Sequence, residues 1–159
     1  SETRNLSFKD VIKKIVSYYQ VLVDEYQVNI DIDNLEEFQC KIVMKQIDLE
    51  SIIVNLLTNA FEALKGVNGS RIIKISTASL IDGYSIVVED SGAGVPENMR
   101  DWIFIPLNTT KQEDGVGLGL TIVRDIVESY SGKIKIDKSP VLGGAHFEII
   151  FPIIEVKHE

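Results

Sequence analysis

Apolar residues recur at helical spacing near the start of the chain, where Val11, Ile12, Ile15, Val16, Tyr19, Leu22 and Val23 fall on one side. The pattern predicts one long amphipathic helix over residues 8–26, with Ser7 placed to cap its N-terminus. Residues 28–32 and 38–44 read as strands, parted by the turn-prone pair Asp33-Asn34. A second helix is expected over about 48–64, stopping at Gly66. Strands at 71–79 and 84–89 follow, joined across Asp82-Gly83 as a hairpin. A glycine-punctuated stretch then runs from Ser91 to Gly117 with little periodicity. A third helix is expected over about 118–131, ending at Gly132, before two last strands at 133–137 and 145–152 linked through Val141-Leu142-Gly143-Gly144. Helices and hairpins interspersed in this way predict an α+β fold: a two-layer α/β sandwich, with a mixed sheet packed on three helices.

Composition narrows the partners. The 159 residues suffice for one domain, read as 1–159, with a substantial core. Hydrophobic residues make up 45% and charged residues 25%, an ordinary globular balance. A net charge of −8 argues against nucleic acid as a partner, since phosphate-backbone binders carry a basic patch. It leaves nucleotides open, because a few oriented amides and one metal ion can hold a triphosphate. Cys40 stands alone, which excludes an internal disulfide and suits a reducing compartment. No apolar run approaches the roughly twenty residues that span a bilayer, and no signal-peptide pattern opens the sequence. The expectation is a soluble cytoplasmic unit without direct membrane contact, whose parent protein could still be anchored in the inner or plasma membrane.

Chemistry first shows on the second helix. Ser51, Asn55, Thr58, Asn59 and Glu62 share one arc, while Leu49, Ile53, Leu56, Leu57, Ala60 and Leu64 cover the other side. A solvated face usually carries Lys, Glu, Gln or Arg, whereas short amides and hydroxyls compete for backbone hydrogen bonds and are poorer helix formers. Asparagines facing a pocket would offer carbonyl oxygens, hard ligands suited to Mg²⁺ already partly held by phosphate. On this helix alone, an ordinary polar face with two incidental asparagines stays equally open.

Two glycine clusters lie downstream. Asp90-Ser91-Gly92-Ala93-Gly94 ends a strand, where a carboxylate can accept from an exocyclic amine while the glycines let a ligand approach the backbone. By itself this pattern also describes a plain turn. Gly115-Val116-Gly117-Leu118-Gly119-Leu120 opens a helix, and glycines there expose unpaired N–H groups and the positive end of the helix dipole to an anion. The cluster lacks the GK[ST] ending of a Walker A loop and does not follow a strand as a dinucleotide fingerprint does. The stretch between the clusters is long for a compact domain and reads as a lid, pinned by the apolar run Trp102-Ile103-Phe104-Ile105-Pro106. Thr109, Thr110 and Lys111 follow the anchor, where hydroxyls and an ammonium could reach terminal phosphates.

Taken together, these segments resemble the superfamily of gyrase, heat-shock chaperone, histidine kinase and mismatch-repair ATPases, in its histidine kinase branch. Asn55-Leu56-Leu57-Thr58-Asn59-Ala60 resembles the kinase N box, and the two glycine clusters resemble the glycine boxes. Ile103-Phe104-Ile105-Pro106-Leu107 resembles the F box, Thr109-Thr110-Lys111 the TTK sequence, and Gly143-Gly144-Ala145-His146-Phe147 the closing GG-x-x-F strand. The resemblance implies the Bergerat fold with an ATP lid, and ATP and Mg²⁺ as ligands. It implies that Asp90 binds the adenine amino group, Asn59 ligates Mg²⁺ and Asn55 sits beside the phosphates, with Gly92 and Gly94 shaping the adenine side. Glu62, Thr109, Thr110, Lys111, Gly115, Val116, Gly117, Leu118, Gly119 and Leu120 complete the implied nucleotide set, and Asn55 and Lys111 stand nearest the chemistry.

Three departures sharpen this expectation. ATP-hydrolysing relatives carry a glutamate as base one turn before the metal-binding asparagine, where this chain has Asn55, so hydrolysis should be slow. Many kinases carry a basic residue three positions after the second asparagine, where this chain has Glu62. No phosphoacceptor box is present: His146 falls in a predicted strand and His158 in the tail. The resemblance therefore implies a catalytic domain, itself monomeric, that phosphorylates a histidine on a separate dimerisation helix domain and feeds a response regulator. An anti-sigma-factor-type serine kinase, a hydrolytic ATPase switch and a nucleotide-dependent docking module are the rival expectations.

Overall fold

The computed structural model describes residues 3–38, 42–105 and 119–153. Strand β1 (Thr3–Asn5) pairs antiparallel with β3 (Val43–Lys45) in a small ribbon. Ser7 caps helix α1 (Phe8–Tyr18) as expected, its Oγ accepting from the Asp10 N–H at 3.1 Å. The single long helix expected here is two, because α1 stops at Tyr19 and α2 (Gln20–Tyr26) follows it. Neither Gly nor Pro causes the break. The Tyr19 ring stacks on Phe61 with centroids 5.6 Å apart, and its hydroxyl lies 3.3 Å from both the Val54 carbonyl and Thr58 Oγ1. Tertiary packing overrides helix periodicity there.

A five-stranded sheet carries the rest. Its order is β2 (Asn29–Leu35), β4 (Ile72–Leu80), β5 (Gly83–Asp90), β7 (Ala145–Pro152), β6 (Lys133–Lys138). The β2–β4 pair is parallel and the other three are antiparallel, so the sheet is mixed as expected. Asp33-Asn34 does not end its strand as expected; β2 continues through it, with the register against β4 shifting between Asp31 and Asn34. The strand expected at 38–44 shrinks to β3, with residues 39–41 outside the described set. The β4–β5 hairpin turns at Ile81-Asp82, since Leu80 pairs with Gly83.

Helix α3 (Gln46–Leu64) is the axle of the helical layer, packed between α1 and α4 (Gly119–Ser129) and against β5. It buries Leu49, Ile52, Ile53, Leu56, Leu57, Ala60, Phe61 and Leu64, an apolar arc wider than expected. Ile73, Ile75, Ile86, Val88, Phe147, Ile149 and Phe151 face it from the sheet. Phe8 closes the core at the β5–β7 end, with edge-on contacts to Phe38, Tyr84 and Phe151 at 5.8–6.2 Å. Tyr130 joins the far ends of α3 and α4. Its hydroxyl accepts from the Lys45 N–H at 3.2 Å and donates to the Asp48 carboxylate. Burial, aided by the Asp48 bond, raises its pKa. No helix among the described residues is long and apolar enough to cross a membrane.

Candidate functional site

Two glycine-bearing segments approach the polar side of α3. At its C-terminal end the loop after β5 lies against Ala63. A Cβ built on Gly92 would stand 2.7 Å from the Ala63 carbonyl oxygen and 3.0 Å from Asp90 Oδ1, so only glycine allows this approach. Ser91 anchors the same loop to the sheet: its Oγ accepts from the Ile72 N–H and donates to the Ser70 carbonyl, both at 2.9 Å. Gly94 follows with φ +76°, in the left-handed region.

Asp90 is 2% exposed and is held by backbone. Its Oδ1 accepts from the Gly92 N–H at 2.9 Å and the Ala145 N–H at 3.3 Å, and its carbonyl accepts from the Gly144 N–H at 3.1 Å. A Cβ on Gly144 would collide with both the carboxylate and the carbonyl of Asp90 and lie 2.7 Å from the Gly92 nitrogen. The carboxylate thus faces one way, fixed by two backbone donors. A cavity of about 300 Å³ opens at Gly94 and Gly144, lined also by Val95, Arg100, Lys138 and Gly143; Asp90 does not line it.

Asn59 and Asn55 follow along α3, both half-buried. The Asn55 amide nitrogen donates to the Ser51 carbonyl at 2.7 Å and to Ser51 Oγ at 3.3 Å, which directs its oxygen elsewhere. That oxygen would stand 3.0 Å from a Cβ built on Gly119, the first residue of α4. Gly92 and Gly119 therefore touch α3 at Ala63 and Asn55, two turns or about 12 Å apart along its axis. The stretch of α3 between those contacts carries Asn59, with the Asp90 carboxylate near one end and the Asn55 amide oxygen beside the start of α4 at the other. Phe104 is buried and its carbonyl accepts from Thr121 Oγ1 at 3.0 Å, tying the apolar anchor to α4.

Several expected residues behave differently. Thr58 is exposed, with its Oγ1 3.3 Å from the Tyr19 hydroxyl. Glu62 pairs with Lys65 at 2.7 Å, so a cation does stand near this position, one turn later in sequence. The anchor is narrower than expected, since Trp102 and Ile105 are exposed and Ile103 is half-buried. Leu120 packs partly buried against the core. Thr109, Thr110, Lys111, Gly115, Val116, Gly117 and Leu118 lie outside the described residues. Gly144 and Ala145 meet Asp90 unexpectedly, and the paired glycines at 143–144 are the signal in the sequence for so close a backbone approach.

Residues 44–155 match the family model described as histidine kinase-, DNA gyrase B- and HSP90-like ATPase. The C4-dicarboxylate transport sensor protein DctB of Rhizobium meliloti is 39% identical over 95 residues, covering 60% of this chain and 15% of that protein. The sensory histidine kinase/phosphatase NtrB of Proteus hauseri is 34% identical over 113 residues, covering 66% of this chain and 32% of NtrB. The chain thus spans a third or less of these curated relatives. The catalytic domain of histidine kinase ThkA superposes with a TM-score of 0.81 at 26% identity, covering 96% of both chains. ThkA has also been solved in complex with the response regulator TrrA; against that chain the TM-score is 0.79 at 22% identity, with coverage of 96% of this chain and 42% of that one. With a matching family model over most of its length and a fold shared with kinase catalytic domains, the chain belongs to the histidine kinase-, DNA gyrase B- and HSP90-like ATPases, as an ATP-binding catalytic domain of the histidine kinase type.

Proposed function

We propose that residues 1–159 form one unit that binds Mg-ATP along α3 and transfers the γ-phosphoryl group to a histidine of a separate dimerisation helix domain. The observation that carries this reading is the pair of glycine contacts on one helix, Gly92 at Ala63 and Gly119 at Asn55, with Asn59 between them in sequence. Their spacing suits a nucleoside triphosphate. Asp90, held by Gly92 and Ala145, accepts from the exocyclic amine of adenine. Asn59 and Asn55 lie toward the phosphates, where amide oxygens suit a hard cation. Asn59 is the assigned Mg²⁺ ligand; the bound ion would neutralise phosphate charge. Lys111, Thr109, Thr110 and the second glycine cluster are the further residues assigned to the phosphates by the family resemblance.

The chain supplies position and charge rather than covalent chemistry, as in phosphoryl transfer generally. Asn55 cannot act as a base, and its nitrogen is committed to Ser51, so an attacking water finds no proton acceptor at this position. An imidazole nitrogen needs none. It attacks the γ-phosphorus, the bond to the bridging oxygen breaks, and ADP leaves. His146 lies in β7 with Nδ1 buried, a poor place for an acceptor, which supports a histidine outside this chain. We read the isolated domain as a cytoplasmic monomer whose parent passes phosphate to a response regulator, by analogy with the ThkA–TrrA complex.

Labelled Mg-ATP, this domain and the parent's helix domain test the reaction. Label on the helix domain that survives base and is lost in mild acid is expected of phosphohistidine. Acid-stable label would indicate a hydroxyl acceptor instead, and nucleotide binding without any transfer would reject the kinase reading.

A further inference from the structure

Asp90 is held from the far side by a turn to which the nucleotide reading gives no task. Between the end of β6 at Lys138 and the start of β7 at Ala145, the chain folds back over the end of β5. The Ser139 N–H donates to the Gly144 carbonyl at 2.7 Å, and the Gly143 N–H to the Ser139 carbonyl at 3.0 Å, which closes the turn. Gly144 and Ala145, the residues whose N–H groups reach Asp90, are the exit of this turn. Their placement depends on where the turn sits.

The Ser139 side chain fixes that placement. Ser139 is 1% exposed, and its hydroxyl works both ways, accepting from the Leu142 N–H at 2.9 Å and donating to Glu89 Oε1 at 2.8 Å. Glu89 is itself 6% exposed. It precedes Asp90 on β5, so its side chain lies on the opposite face of the sheet. His146 pairs with Glu89 across the strands and has a buried Nδ1, so water is scarce around this bond. A hydrogen bond shielded from water holds its geometry more firmly than an exposed one. The turn is therefore fastened to β5 from both faces, by backbone to Asp90 and by hydroxyl to Glu89.

We propose that Ser139 is a positioning residue for purine recognition: its bond to Glu89 holds the β6–β7 turn so that Gly144 and Ala145 orient the Asp90 carboxylate toward an exocyclic amine. This rests on the reading that Asp90 faces adenine. A residue that only supports packing would weaken every nucleotide alike. One that acts through Asp90 weakens only nucleotides bearing the amine.

The test compares binding of ATP and of purine riboside triphosphate, which lacks the 6-amino group, in the presence of Mg²⁺. The wild-type chain should prefer ATP. Ser139→Ala should shrink that preference about fivefold, the loss expected of one hydrogen bond, with the affinity for the amine-less nucleotide near wild type. Glu89→Ala removes the acceptor without touching the turn; it should give the same shrinkage, and it serves if the Ser139 variant does not fold. Glu89→Gln, which retains an acceptor oxygen, should keep most of the preference. A preference unchanged by Ser139→Ala and Glu89→Ala, whatever the absolute affinities, overturns the role of Ser139 and leaves the adenine reading intact. A wild-type chain without preference overturns the adenine reading itself.

Discussion

The two glycine contacts on α3, at Ala63 and at Asn55, mark ends that are built differently. At the Ala63 end, a carboxylate that is 2% exposed is locked by backbone N–H groups from two separate segments, and glycines at 92 and 144 leave no space for side chains. At the Asn55 end, two half-buried side-chain amides lie near the start of α4, and one of them is steered, among the described residues, by its own helix through Ser51. Backbone donors cannot change rotamer, so the first end is preorganised before any ligand arrives. Amides on a helix can adjust to a metal and its waters. On the proposed reading, base recognition is set by the fold, whereas affinity at the phosphate end depends on the ion.

Perturbing the scaffold, then each end, should separate these contributions. Leu57 is buried on the side of α3 away from the asparagines, and Leu57→Ala should destabilise the domain by about 3 kcal/mol. Denaturant titration would measure that loss, and nucleotide affinity of the folded fraction should not change. Gly144→Ala forces a methyl against Asp90, an overpacking that should cost about 2 kcal/mol, near thirtyfold in ATP affinity. Calorimetry should find the same factor with and without Mg²⁺, because the damage lies at the base end. A loss seen only with Mg²⁺ would erase the distinction between the ends. The smallest effect is expected at Tyr130, which meets α3 at Asp48, away from both glycine contacts. Its pKa is raised in the folded state, so its stabilisation is present below the ordinary value of 10.0 and disappears as pH rises through the folded value. Tyr130→Phe should lower stability by about 1 kcal/mol at neutral pH, and unfolding curves should then decline less steeply above pH 10.0 than in wild type.

The difference between the ends also explains what the sequence could disclose. Asn55, Asn59 and Asp90 carry their chemistry in side chains, and their spacing was readable because helix and strand periods convert position into direction. Ala145 contributes only an N–H, which every residue but proline has, so nothing in its identity marked it. The Ser139–Glu89 bond joins residues fifty apart, and neither spacing nor residue type predicts it. The element order was legible, as were most boundaries from Gly66 onward. The break at Tyr19 was not, because its cause is a ring forty-two positions away rather than a local breaker. Nor was the passage of β2 through Asp33-Asn34, where parallel pairing with β4 outweighs turn preference.

Calorimetry of ATP binding with and without Mg²⁺, on wild type and Asn59→Ala, tests most directly whether the polar side of α3 holds a metal–triphosphate. Wild type should gain affinity from Mg²⁺, and the variant should lose most of that gain, about tenfold or more, while its metal-free affinity stays close to wild type. Identical Mg²⁺ dependence in the two proteins would contradict the placement of the triphosphate along this helix.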